Sequence, residues 1–213
     1  MAAIQQVNIR HMVLTISRAV DLVGVTDIFH GRRVGVMAVE CAKALGYDAA
    51  TRHLLFDAGL LHDCGVSSTK AHHALVNEFD SEGMALHCEK GYELLHGFAP
   101  LAHLAPLVLY HHTQWTAMPG LQIDPLAASQ ANLIHLVDRV DALATRYYRD
   151  ESLLLHVGEI RDLVHRYRGQ FFAPALVDAF LDASAPEAFW LQLDPAYIPQ
   201  YINEMGLFSE TRA

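Results

Sequence analysis

Apolar residues recur at steps of three and four through most of the chain, the spacing of helices that bury one face. Val34, Met37, Ala38, Cys41 and Leu45 trace one such face, and Gly46 follows as a helix stop. Asp48 reads as the N-cap of a helix running to about Leu61, with Leu54, Leu55, Ala58 and Leu61 on its apolar side. Gly65 and the Ser67–Thr69 run break the chain, and 77–83 is a second polar loop. Helices are expected over 84–96 and 100–112, then a loop over 115–125 holding Pro119, Gly120 and Pro125. A long helix over 126–149 carries Leu133, Leu136, Val137, Val140 and Leu143, and shorter ones fit 151–168, 174–183 and 195–205. The chain shows neither strand alternation nor an internal repeat, so the expected fold is an all-α helical bundle. Residues 1–26 form an amphipathic helix that serves as a dimer arm, links to something upstream or packs on the domain.

Composition narrows the class. With 213 residues, 52% apolar and 18% charged, the chain has length for a core and is neither disordered nor fibrous. A net charge of −9 argues against a DNA- or RNA-binding surface but leaves room for a local basic site holding one phosphorylated ligand. Three cysteines without a C-x-x-C pair point to a reducing cytoplasm. Arg18 and Asp21 interrupt the apolar stretch from Met12 to Val25, so no signal peptide is expected, and no run is long enough to span a membrane.

The unusual count is fourteen histidines. His30 opens one helix, His62-Asp63 ends the next, His87 opens another and His111-His112 closes the one after. Asp138 then falls inside the apolar Leu133–Val140 stretch. Imidazoles and carboxylates at buried positions need a reason to be out of water. Metal coordination supplies one, since neutral imidazole nitrogens and carboxylate oxygens suit iron, manganese or zinc. His11, His53, His72, His73, His96, His103, His135, His156 and His165 read as ordinary surface or hydrogen-bonded histidines. Asp57, Asp141 and Asp162 read as caps, ion-pair partners or groups supporting a ligand, and Cys64 and Cys88 as reduced packing residues.

The ordered set H…HD…H…HH…D on successive helices resembles the HD superfamily of metal-dependent phosphohydrolases. More narrowly it resembles the HD-GYP branch, whose members hydrolyse cyclic di-GMP. The carrying segments are HGRRV (30–34), AGLLHDCGV (58–66), HCEKGYELL (87–95), LVLYHHTQW (107–115), LIHLVDRVDAL (133–143) and GQFFAPALVDAFL (169–181). The resemblance implies an HD-domain helical bundle over 27–185 with a metal site between helices, and leaves 186–213 as a C-terminal helical extension. It implies two divalent metal ions, iron ahead of manganese. His30, His62, Asp63 and Asp138 would hold one, and Asp63, the catalytic residue, would bridge to a second held by His87, His111 and His112. A third metal in some members uses a Glu four residues before the first His; Thr26 stands there, with Asp27 one residue out of register.

Two segments depart from the branch. Its HD-x-G-K reads His62-Asp63-Cys64-Gly65-Val66, without the phosphate-binding lysine, which Lys70 could replace. Its HHE-x-x-DG-x-GYP reads HHTQWTAMPG over 111–120, which bears on substrate and partner choice. Arg33 and Arg146 are the candidates to grip phosphate, with a structural ion pair as the other reading of each. Trp115 either stacks on a base or caps the core. Three functions therefore stay open. The first is a phosphodiesterase for cyclic di-GMP or a related cyclic dinucleotide, and the second a phosphohydrolase for another nucleotide. The third is a non-catalytic module binding a nucleotide or a signalling protein, with a homodimer open in every case.

Overall fold

The computed structural model describes residues 9–24, 29–66 and 83–206. Lys70, the Ser67–Thr69 run, the 77–82 part of the second loop, His72, His73, Thr26 and Asp27 lie outside them, as does the 26/27 boundary. The described residues are all-α: α1 (Ile9–Gly24), α2 (His30–Ala44), α3 (Ala49–Leu61), α4 (Gly83–His96), α5 (Ala105–Tyr110), α6 (Pro125–Tyr148), α7 (Leu153–Arg166), α8 (Pro174–Ala183), α9 (Glu187–Leu191) and α10 (Ile198–Glu204). None of the described helices is long and apolar enough to cross a membrane.

Local chemistry sets the boundaries. Gly46, at φ 72°, turns the chain out of α2, a conformation that costs a side-chain-bearing residue energy. Asp48 caps α3 by accepting from the Thr51 amide at 2.8 Å. Asp124 caps α6 by accepting from the Leu126 and Ala127 amides, with Pro125 at the first helical position. The helix expected over 100–112 is instead a 3-10 turn (Ala102–Leu104) and the short α5, because Pro106 has no amide hydrogen to continue a ladder from before it. The loop expected over 115–125 holds a 3-10 turn from Trp115 to Gly120, and α9 is a separate helix that the apolar spacing does not predict.

α2 is the central element, packed against α1, α3, α6, α8 and α10. It runs antiparallel to α3, and the two backbones touch: a Cβ on Gly59 would come within 2.6 Å of Gly35 Cα. This hairpin sets the start of α2 beside the end of α3, and therefore His30 beside His62 and Asp63. In the same way α4 packs on α5, and His87 near the start of one meets His111 just past the end of the other. α6 crosses α2, α3 and α5 with Leu133, Ile134, Leu136, Val137 and Val140 fully buried.

α1 packs along α3 and brings Arg10 to 4.0 Å from Asp57. Burial pushes the Asp57 carboxyl up to about 6, and Arg10 offsets only part of that. The folded state therefore holds more protons than the unfolded chain between about pH 4 and 6, and stability declines as pH rises through that window. Asp57→Asn is expected to flatten this decline and to gain about 1–2 kcal/mol at pH 7. Denaturant midpoints measured across pH check it, and a wild-type midpoint that climbs from pH 4 to 6 with the same slope as Asp57→Asn contradicts it.

Candidate metal centre

The seven candidate ligands converge between α2, the turn after α3, α4, the turn after α5 and the middle of α6. His30, His62, Asp63, His87, His111 and Asp138 are buried, and the His112 side chain is 8% exposed. One half of the centre gathers His30, His62, Asp63 and Asp138. His30 Nε2 lies 3.1 Å from His62 Nε2, 3.3 Å from Asp138 Oδ1 and 3.7 Å from Asp63 Oδ2. The other half gathers around the second oxygen of the same aspartate: Asp63 Oδ1 lies 3.4 Å from His87 Nε2 and 3.8 Å from His111 Nε2. Those two nitrogens are 3.3 Å apart, and His112 Nδ1 is 3.9 Å from Asp138 Oδ2.

The hydrogen bonds behind the rings decide what the rings present in front. His62 Nδ1 donates to the Gly59 carbonyl at 2.8 Å and His111 Nδ1 donates to the Val108 carbonyl at 2.7 Å. A carbonyl only accepts, so in the neutral ring the proton sits on Nδ1 and the Nε2 lone pair faces the pocket. His30 Nδ1 donates to Asp141 Oδ2 at 2.8 Å with the same result. Each half is thus a buried set of lone pairs and carboxylate oxygens, an arrangement of acceptors that a cation stabilises. Donors bound at about 2.1 Å to one tetrahedral ion stand about 3.4 Å apart, which is the spacing found here. His87 Nδ1 and both nitrogens of His112 have no hydrogen-bond partner although they are buried. The residues therefore fit a pair of metal ions.

Charge is arranged to match. Burial raises a carboxyl, yet His62, His111, His87 and His30 hold Asp63 well below the usual carboxylate range. Asp138 is held low against its burial chiefly by Arg139, which donates to Oδ2 at 3.1 and 2.7 Å. Burial and then the neighbouring His111 push His112 well below the usual imidazole value.

The three cations singled out for substrate fare differently. Arg33 is buried with its fork filled: it donates to Asp141 at 2.7 and 2.9 Å and stacks over Tyr148, whose hydroxyl also donates to Asp141. Of its two readings the structure shows the ion pair, which clamps Asp141 and through it His30. Burial raises the Asp141 carboxyl, but Arg33 and His30 hold it at about 2. Arg146 is exposed, lies over Tyr147 and borders a groove with Glu159, Asp162 and Arg166. Lys70 lies outside the described residues. Val66 is buried, and the cleft beside it is also lined by Lys90, a cation the sequence reading passed over.

Other residues gained importance only in three dimensions. Asn132, hidden in an apolar helical run, donates to the Phe171 carbonyl at 2.9 Å and accepts from the Ala173 amide at 2.8 Å. Trp115 and Thr116 amides donate to the Phe171 and Gln170 carbonyls, so the 169–173 segment pins the stretch after the paired histidines. Trp115 itself is half-buried against the core. His135, read as an ordinary histidine, is buried beside His112 and Phe172. Burial and then Arg139 push it down to about 3. Cys88, read as a packing residue, points its sulfur at His87 and His111.

The chain belongs to the HD domain family, an all-helical fold, matching over residues 28–146. It is also 36% identical over 202 residues to the 3'3'-cGAMP-specific phosphodiesterase 1 of Vibrio cholerae serotype O1. That match takes in 90% of this chain and 45% of the relative, so the chain spans about half the length of that protein. No solved structure matches the chain.

Proposed function

We propose that this chain is a dinuclear metal-dependent phosphodiesterase that opens a 3'3'-linked cyclic dinucleotide. The observation that carries the reading is the division of Asp63, whose two oxygens face two separate histidine sets. Its likeness to a relative named for 3'3'-cGAMP makes that compound the first substrate to test and cyclic di-GMP the second. Iron is the proposed metal and manganese the alternative, both compatible with nitrogen and oxygen donors.

In this reading His30, His62, Asp63 and Asp138 hold one ion, and Asp63, His87, His111 and His112 hold the other. When bound, the ions lower the pKa of a coordinated water and offset the charge that builds on phosphate. The chain's own residues do the placing. Asp141 and the Gly59 and Val108 carbonyls fix three imidazoles in the tautomer that faces the pocket. Arg139 offsets the Asp138 charge from behind, and Arg33 holds Asp141. Arg146, exposed eight residues beyond Asp138 and about 12 Å along the helix, would be the cation for the distant phosphate of a cyclic dinucleotide. Water adds across one P–O3′ bond, and the product is the linear dinucleotide.

Protein purified without oxygen and loaded with ferrous iron or manganese should convert 3'3'-cGAMP to the linear dinucleotide or to the two mononucleotides, resolved by chromatography. No product from protein shown to hold two ions contradicts the reading. The departures at Val66 and over 111–120 then favour the binding module, in which chelation lowers Tm while turnover stays absent.

A further inference from the structure

We propose that Cys88 is a ligand of the second metal pocket, giving it nitrogen, oxygen and sulfur donors beside the nitrogen–oxygen pocket of His30, His62 and Asp138. The inference rests on the two-ion reading above and concerns what that reading left out. Cys88 is 4% exposed, and its sulfur lies 3.7 Å from His87 Nε2 and 3.6 Å from His111 Nδ1. His87, Cys88, His111 and His112 each offer a donor atom within 4.8 Å of the others.

The other two thiols show that this placement is particular. Cys64 also adjoins a ligand in sequence, yet its sulfur points to the Gly91 carbonyl at 3.9 Å. Cys41 lies in the apolar core. At Cys88 the sulfur meets two imidazole nitrogens, of which His111 Nδ1 carries the proton donated to Val108 and His87 Nε2 faces Asp63. A second, independent feature points to an ion at the same spot. His112, its side chain 8% exposed, belongs to the same group of four, and neither of its ring nitrogens has a hydrogen-bond partner.

The spacing agrees with shared coordination. Sulfur bonds zinc-like ions at about 2.3 Å and imidazole nitrogen at about 2.0–2.1 Å, so a sulfur and a nitrogen on one tetrahedral ion stand about 3.6 Å apart. The observed separation from His87 Nε2 is 3.7 Å. A thiolate donor shifts this pocket toward zinc or ferrous iron and away from manganese, whereas the first pocket keeps no such bias. The two halves of one centre would then differ in metal preference.

Cobalt(II) loading tests this without reference to turnover. Wild-type protein holding two cobalt ions should show an intense near-ultraviolet sulfur-to-cobalt charge-transfer band. Cys88→Ser should lose it, and Cys64→Ser should keep it. A band that survives Cys88→Ser, or none in wild-type protein holding two ions, overturns the ligand assignment alone. Should Cys88→Ser fail to fold, X-ray absorption at the cobalt edge of the wild type reads the same point. A sulfur shell at about 2.3 Å supports the assignment, and nitrogen and oxygen neighbours only overturn it. Protein that takes up no cobalt overturns the two-ion reading and this inference together.

Discussion

Asp63→Ala protein is expected to lose metal from both halves of the centre at once, and with it turnover by on the order of 10³-fold or more. The reason is geometric. Oδ2 of this residue stands 3.4 Å from His62 Nε2 and Oδ1 stands 3.4 Å from His87 Nε2, so one substitution removes an anionic donor from each pocket. His87→Ala touches only one pocket and should leave about one ion per chain. Metal analysis after dialysis separates the two variants. Asp63→Ala protein that still holds two ions per chain would falsify the bridging role. The loss is not expected to reflect unfolding, because Asp63 lies in a turn and the helix before it is held by apolar packing of Leu55, Phe56, Leu60 and Leu61.

Gly65→Ala should be nearly as damaging although it removes no ligand. A Cβ at Gly65 would overlap the His87 carbonyl oxygen and come within 2.5 Å of the Gly91 amide nitrogen. Both are backbone atoms of α4, so no side chain can swing aside, and α4 itself must move away from the turn. His87 rides on that helix. Displacing a positioned group by about 1 Å can cost about 10²-fold in rate, and overpacking of this kind costs about 1–3 kcal/mol of stability. The expected result is loss of the second ion with the first retained, and a fall in kcat of about 10²-fold. Two bound ions and wild-type kcat in Gly65→Ala would contradict the close approach. The contact also explains why a glycine follows the His62-Asp63 pair with one residue between: that turn is where two helical hairpins meet.

Helix faces were legible because burial of Val34, Met37, Ala38 and Cys41 is a local, periodic signal, and α3 and α8 start where the Asp48 cap and Pro174 place them. The seven candidate ligands were legible because polar residues at apolar positions stand out. Their division into two pockets came from family resemblance, since spacing along the chain says nothing of which oxygen of Asp63 faces which ring. What stayed hidden depends on contacts between distant segments. Arg33 reads in sequence as either a phosphate grip or an ion pair, and only the fold shows Asp141, far along the chain, filling its fork. Asn132 is one polar residue in an apolar helix until its bonds to Phe171 and Ala173 are seen. Cys88 reads as a small apolar residue because sequence does not reveal where a thiol points.

The most direct test of the account is an anomalous-scattering map from crystals of the metal-loaded protein. The account predicts two peaks about 3.5–4 Å apart, one touching Asp63 Oδ2 with His30, His62 and Asp138, the other touching Oδ1 with His87, His111 and His112. A single peak, or two that do not share Asp63, would contradict it.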